Sequence, residues 1–169
     1  PVTITATSEG KSGTSAITVV TQPPPATCGA TSPGTCYYVD ASAGNDGNPG
    51  TSAQPFQTVN KAAGVVNPGD WVIVRDGVYT GDASAVLSIG RGGSNSGSGM
   101  VVFRAEHKWG AVLDGNNNAT DAGVVISANY VRVQDFEIRN EWHDAVDIGS
   151  DYVQLVGNNI HDIGRICTS

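Results

Sequence analysis

Apolar residues recur along the second half of the chain at a spacing of 22: Val124 is followed by Val146, Ile126 by Ile148, Tyr130 by Tyr152, Val131 by Val153, Val133 by Leu155 and Ile138 by Ile160. The matched positions fall in three separate short stretches, each alternating apolar and polar residues as a half-buried strand does. Three strands and three turns in each repeat, stacked on the next, predict the coils of a parallel β-helix. In such a stack Val131, Val133, Phe136 and Ile138 point inward, and Arg132, Gln134, Glu137 and Arg139 point out. Asn158 stands one repeat after Phe136, so its amide is expected to line a turn.

Upstream, Trp71–Arg75, Val101–Phe103 and Ala111–Leu113 read as further short strands, and the Gly- and Ser-rich stretch 90–99 as a loop. Phe56, Val59, Ala63 and Val66 share one helical face after Pro55, and Asn67-Pro68-Gly69 ends the helix; a short amphipathic helix there would cover the first rung of a solenoid. Residues 1–20 alternate on both sides of a turn over Ser8–Gly13, which predicts a β-hairpin. This hairpin resembles the last one of a bacterial immunoglobulin-like domain, or is an N-terminal arm docked on its surroundings. Residues 21–36 form a linker, with a Pro-rich spacer at 21–27 and with Cys28 and Cys36 placed to form a disulfide in an oxidising compartment. Residues 37–169 then hold the coils.

Composition agrees with a turn-rich all-β chain. Charged residues make up only 15% and there are 22 glycines, so neutral polar groups supply solubility. The net charge of −7, with nine Lys plus Arg and no basic run, argues against a nucleic-acid partner. No apolar run approaches the length of a membrane span. The chain opens in mid-pattern, stops within a coil and leaves Cys167 unpaired, so it is expected to be a truncated part of a longer secreted protein.

The stretch Tyr37-Tyr38-Val39-Asp40, Gly47-Asn48-Pro49-Gly50-Thr51, Gln54-Pro55-Phe56, Pro68-Gly69-Asp70 and Val74-Arg75-Asp76-Gly77-Val78-Tyr79 resembles the opening of β-helix proteins of the pectate lyase superfamily, in particular family 9 polysaccharide lyases. The resemblance implies a right-handed parallel β-helix, secretion to the cell surface or beyond, and a polysaccharide partner. It also implies a Ca2+ cofactor held by a cluster of aspartates, with a lysine as base.

His143-Asp144-Ala145-Val146-Asp147 looks like that family's Asp-Gly-x-Asp stretch, with Ala145 in place of the glycine. Because Val146 and Ile148 are inward, Asp147 must face out, and Asp144 sits in the turn leading into its strand. One coil later Asp162 stacks over Asn140 and Arg165 over His143. The expected metal ligands are Asp144, Asp147 and Asp162, since calcium takes oxygen donors. Trp142 and Glu141 are expected to bind substrate, with Trp142 stacking on a sugar ring. Turn-capping by Asp144 and Asp162 is the competing reading. Lys11, Lys61 and Lys108 all fall away from the cluster in the repeat register, so the catalytic base is either His143 or Arg165 or lies on coils beyond this sequence; an imidazole exchanges protons near neutral pH, whereas arginine is a poor base. The Asp40/Asn45/Asp46/Asn48 loop could hold a structural calcium, but its Asn-Asp-Gly-Asn-Pro-Gly sequence reads foremost as a turn.

The function expected of the full-length protein is calcium-dependent β-elimination of an acidic polysaccharide. The alternatives are a glycoside hydrolase using Asp144, Asp147 and Asp162, and an extracellular structural or filament-forming rod that self-associates through the hairpin or an uncapped C-terminal coil.

Overall fold

A computed structural model describes residues 2–8, 11–17, 28, 34–95, 99–117 and 119–164. The N-terminal segment is a hairpin of β1 (Val2–Ser8) and β2 (Lys11–Ile17), antiparallel, with Val2 opposite Ile17 and Ser8 opposite Lys11. The expected turn over Ser8–Gly13 is therefore shorter than its Gly and Ser content suggested, because backbone pairing runs on to Ser8 and Lys11. The Pro-rich spacer lies outside the described residues. Cys28 and Cys36 form a disulfide with their Cα atoms 6.0 Å apart.

Twelve short strands and one helix follow among the described residues. They are β3 (Cys36–Val39), α1 (Val59–Val65), β4 (Trp71–Val74), β5 (Gly77–Tyr79), β6 (Ala85–Ile89), β7 (Val101–Ala105), β8 (Ala111–Asp114), β9 (Ala122–Ile126), β10 (Val131–Gln134), β11 (Glu137–Arg139), β12 (Asp144–Ile148), β13 (Val153–Val156) and β14 (Asn159–His161). These strands all pair in parallel, in three sheets of order β13-β10-β7-β4-β3, β14-β11-β8-β5 and β12-β9-β6. From β4 on, every third strand joins the same sheet, which is the winding of a β-helix.

The repeat of 22 is the register of this winding: Val131 pairs with Val153, Ile138 with Ile160 and Val146 with Val124. Inward columns run through the stack as Val72–Phe103–Val133–Leu155, Tyr79–Leu113–Ile138–Ile160 and Leu87–Val124–Val146. Val131, Val133, Phe136 and Ile138 are fully buried, as their alternation requires. On the last described coil, Ile148, Leu155 and Ile160 keep the register but remain partly open to solvent.

The corners also repeat. Tyr130 and Tyr152 (φ 60° and 58°), Asp135 and Gly157 (both 65°), and Asn140 and Asp162 (64° and 56°) each place a left-handed residue at one of the three turns of a coil. A sharp corner between two strands needs that conformation, which Gly, Asn and Asp adopt at little cost and Tyr does not. The two tyrosine rings offset part of the strain by stacking, 4.5 Å apart and 3° from parallel.

Asn158 lines a corner as expected. Its Oδ1 accepts from the Phe136 N–H at 2.9 Å, and its Nδ2 donates to the Val133 carbonyl at 3.0 Å. Asn158→Ala should cost about 1–3 kcal/mol by stripping both backbone groups of their partner, measurable as a lower midpoint in urea unfolding.

The capping helix begins later than the apolar spacing suggests. Phe56 is not helical but forms a parallel bridge to Val39, and the N-cap is Thr58, whose hydroxyl accepts from the Lys61 N–H at 3.1 Å. Asp46 sets this boundary by accepting from the N–H groups of Gln57 and Thr58, both at 2.9 Å. Asp40, in the same loop, takes the Ser42 and Ala43 N–H groups and the Arg75 guanidinium, which hold its carboxyl at about 2, well below the usual range. The Asp40–Asn48 loop is thus built as a turn.

Candidate functional site

Strand β12 presents the motif expected to carry chemistry. The turn before it hangs on the preceding coil: the Trp142 N–H donates to the Thr120 carbonyl, and the N–H groups of His143 and Asp144 both donate to the Asp121 carbonyl, at 2.9, 3.0 and 3.1 Å. These bonds fix where the three side chains leave the surface. Trp142 is 44% exposed and, with Ala83, Ala119 and Asp121, lines a shallow cleft of about 330 Å³. His143 and Asp144 are 70% and 55% exposed at the side chain, with Nδ1 3.3 Å from Oδ2. Asp147 faces outward in a ladder with Val125 and Ser88, so the outer face of β6, β9 and β12 ends on its carboxylate.

Two expected members do not join this group. Glu141 does not reach a groove: it is fully buried, and neither carboxyl oxygen has a hydrogen-bond partner among the described residues. Gly123 makes the space, since a Cβ there would lie 2.9 Å from Glu141 Oε1 and 2.5 Å from Ile138 Cγ2. Burial is the dominant influence and pushes Glu141 up to about 7, with the nearby Asp114 carboxylate adding in the same direction. The repeat itself contained the signal, because a step of 22 from Glu141 reaches Ile163, an apolar residue.

Asp162 does stack over Asn140, whose N–H donates to its carbonyl at 3.1 Å. Its side chain, however, belongs to the outer edge of the β14-β11-β8-β5 sheet, where its Oδ2 lies 2.7 Å from His161 Nδ1. His161 Nε2 is 3.4 Å from Glu137, Glu137 is 2.7 Å from Arg139, and Arg139 Nε is 3.0 Å from Asp114. The two carboxylates facing His161 raise its affinity for a proton, with Asp162 the larger influence. This chain of ion pairs is satisfied internally. Asp121, which no motif singled out, stands at the lip beside Trp142 instead. Arg165 and Cys167 lie outside the described residues.

Residues 37–165 match the family model described as the "Pel9A-like, right handed beta helix region". The chain belongs to this family. Among solved structures, this Pel9A-like chain is similar to a rhamnogalacturonan lyase, with a TM-score of 0.63 and 21% identity over 77% of the chain and 36% of that protein. It is also similar to the GH136 lacto-N-biosidase from Eubacterium ramulus, with a TM-score of 0.55 and 16% identity over 76% of the chain and 27% of that protein. The chain thus spans about a third of the length of these neighbours, and the likeness is one of fold. No curated protein matches the sequence. Among the described residues no helix is long and apolar enough to cross a membrane.

Calcium takes roughly six to eight oxygen ligands. In this Pel9A-like β-helix, Asp144 and Asp147 share one strand while Asp162 sits at the corner after β14, and among the described residues no three His, Cys, Asp or Glu side chains are grouped to hold a metal ion. The described carboxylates do not by themselves fit a calcium cage.

Proposed function

We propose that the protein is a secreted lyase of acidic polysaccharide whose substrate lies along the outer face of β6, β9 and β12. The observation that carries this reading is the exposed pair of His143 and Asp144, 3.3 Å apart beside Trp142, on a β-helix of a polysaccharide-lyase family. Trp142 offers a ring face for a pyranose, and Asp144 Oδ2, 3.3 Å from His143 Nδ1, is placed to orient the imidazole. Neutral His143 would then take the C5 proton of a uronate through Nε2. The C5–H electron pair becomes the C4=C5 double bond, the bond from C4 to the glycosidic oxygen breaks with its electrons, and that oxygen takes a proton from water.

His143→Ala should lower the rate of unsaturated-uronate formation by about 100-fold or more while changing polymer affinity little. Absorbance of the unsaturated product, followed with and without a chelator, checks this and reports calcium dependence separately. No unsaturated product from any acidic glycan would overturn the lyase reading. New reducing ends without that absorbance would favour hydrolysis, which the two carboxylates of β12 could support.

A further inference from the structure

The turn between β7 and β8 carries a second aromatic surface, on a different edge of the coil from β12. Trp109 is 45% exposed and has a left-handed backbone, φ 65°, which a bulky residue rarely adopts. It is held in place from two later coils. Its backbone N–H donates to the Asp135 carbonyl at 2.6 Å, and its indole N–H to the Gly157 carbonyl at 2.8 Å. The indole is therefore immobilised across three successive corners, with its polar atom already used and its ring still open to solvent. Ordering that ring has been accomplished by folding, so a ligand that stacks on it loses little further side-chain entropy.

The charges around this ring are mostly committed. Arg104 pairs with Asp135 at 3.1 Å, and His107 Nδ1 lies 3.0 Å from both oxygens of Asp76. Lys108 is exposed and makes no ion pair among the described residues; its Nζ sits 4.7 Å from the Trp109 ring centroid. An ammonium without a carboxylate partner, resting over an immobilised aromatic ring, is suited to a planar-faced ligand carrying one negative charge. Glu106 on the same turn opposes that charge and would weaken binding.

We propose that Lys108 and Trp109 form a binding platform for a uronate residue of an acidic polysaccharide, separate from the β12 face. The pyranose ring stacks on the indole and its carboxylate takes the Lys108 ammonium. The inference rests on the proposed function only for the choice of polymer. It makes the corner between β7 and β8 an anchoring point that holds the chain of substrate without taking part in bond cleavage.

Affinity electrophoresis of the full chain through gels containing polygalacturonate, or the fully methyl-esterified polymer, tests this. Lys108→Met should weaken retardation by polygalacturonate about 3- to 10-fold and leave that by the ester unchanged, with Lys108→Arg restoring it. Trp109→Ala should weaken both, and Glu106→Gln should tighten binding of polygalacturonate alone. Because Trp109→Ala also removes the bond to Gly157, the lysine variants decide the outcome if that protein does not fold. Retardation unaffected by Lys108→Met, or no retardation of the parent protein by polygalacturonate, would overturn the platform. Either result leaves the lyase reading to be judged by its own product assay.

Discussion

Truncating Phe136 to alanine should lower the free energy of unfolding by about 3–5 kcal/mol, the largest single-residue loss expected in the β-helix. Phe136 is fully buried at the corner after Asp135, and its N–H is tied to Asn158 at 2.9 Å. The corner is fixed by a left-handed residue in each coil, so the backbone cannot easily close on the vacated volume. That favours the upper part of the range. Each coil of a solenoid touches only its neighbours, so the damage should be local in the first instance. Hydrogen exchange in β13 and β14 should accelerate before that in β4 and β5. Urea unfolding measures the total, and a loss below about 1 kcal/mol would mean that the corner repacks freely.

The second large effect concerns Glu141. A glutamate in the unfolded chain ionises near 4.5, whereas in the folded protein Glu141 keeps its proton to about 7. Its contribution to stability is therefore fully present below pH 4.5, is lost as pH rises toward 7, and changes no further above that. A shift of this size corresponds to about 3 kcal/mol between the two ends of the window. Glu141→Gln, which stays neutral, should be more stable than the parent at pH 8 by about 2–3 kcal/mol and should show a much flatter profile across the window. A residual slope of the same sign is expected from His161, whose raised proton affinity also favours the folded state on the acidic side. The carboxylates held low by hydrogen bonds, such as Asp40, act below this window and do not confuse it. Equal pH profiles for parent and variant would show that Glu141 is hydrated or ionised in the folded chain.

These residues show what a linear pattern can and cannot reveal. The coils around β9 to β14 were legible because their turns have equal length, so inward residues return every 22 positions. The earlier coils were not, because Val101 pairs with Val131 and Val112 with Glu137, across 30 and 25 residues. Loops inserted at the corners change the spacing without changing the stack. The helix start was misplaced for a different reason: Phe56 fits a helical face, but Asp46 reaches the backbone from eleven residues away and delays the first turn.

Alternation and period by themselves determined the parallel β-helix, the inward set from Val131 to Ile138, the outward Asp147 and the amide-lined corner at Asn158, since each depends only on neighbours along a strand or one coil apart. Tertiary structure alone decided which polar residues meet. Glu141 entered the core because Gly123, on another strand, leaves room for it. Asp162 parted from Asp144 because it sits at the corner after β14 and its side chain turns to His161, and Trp109 became a fixed surface because carbonyls of two later coils hold it. Each of these outcomes is set by contact across the stack, and spacing along the chain records only the first, through the apolar Ile163 one repeat after Glu141.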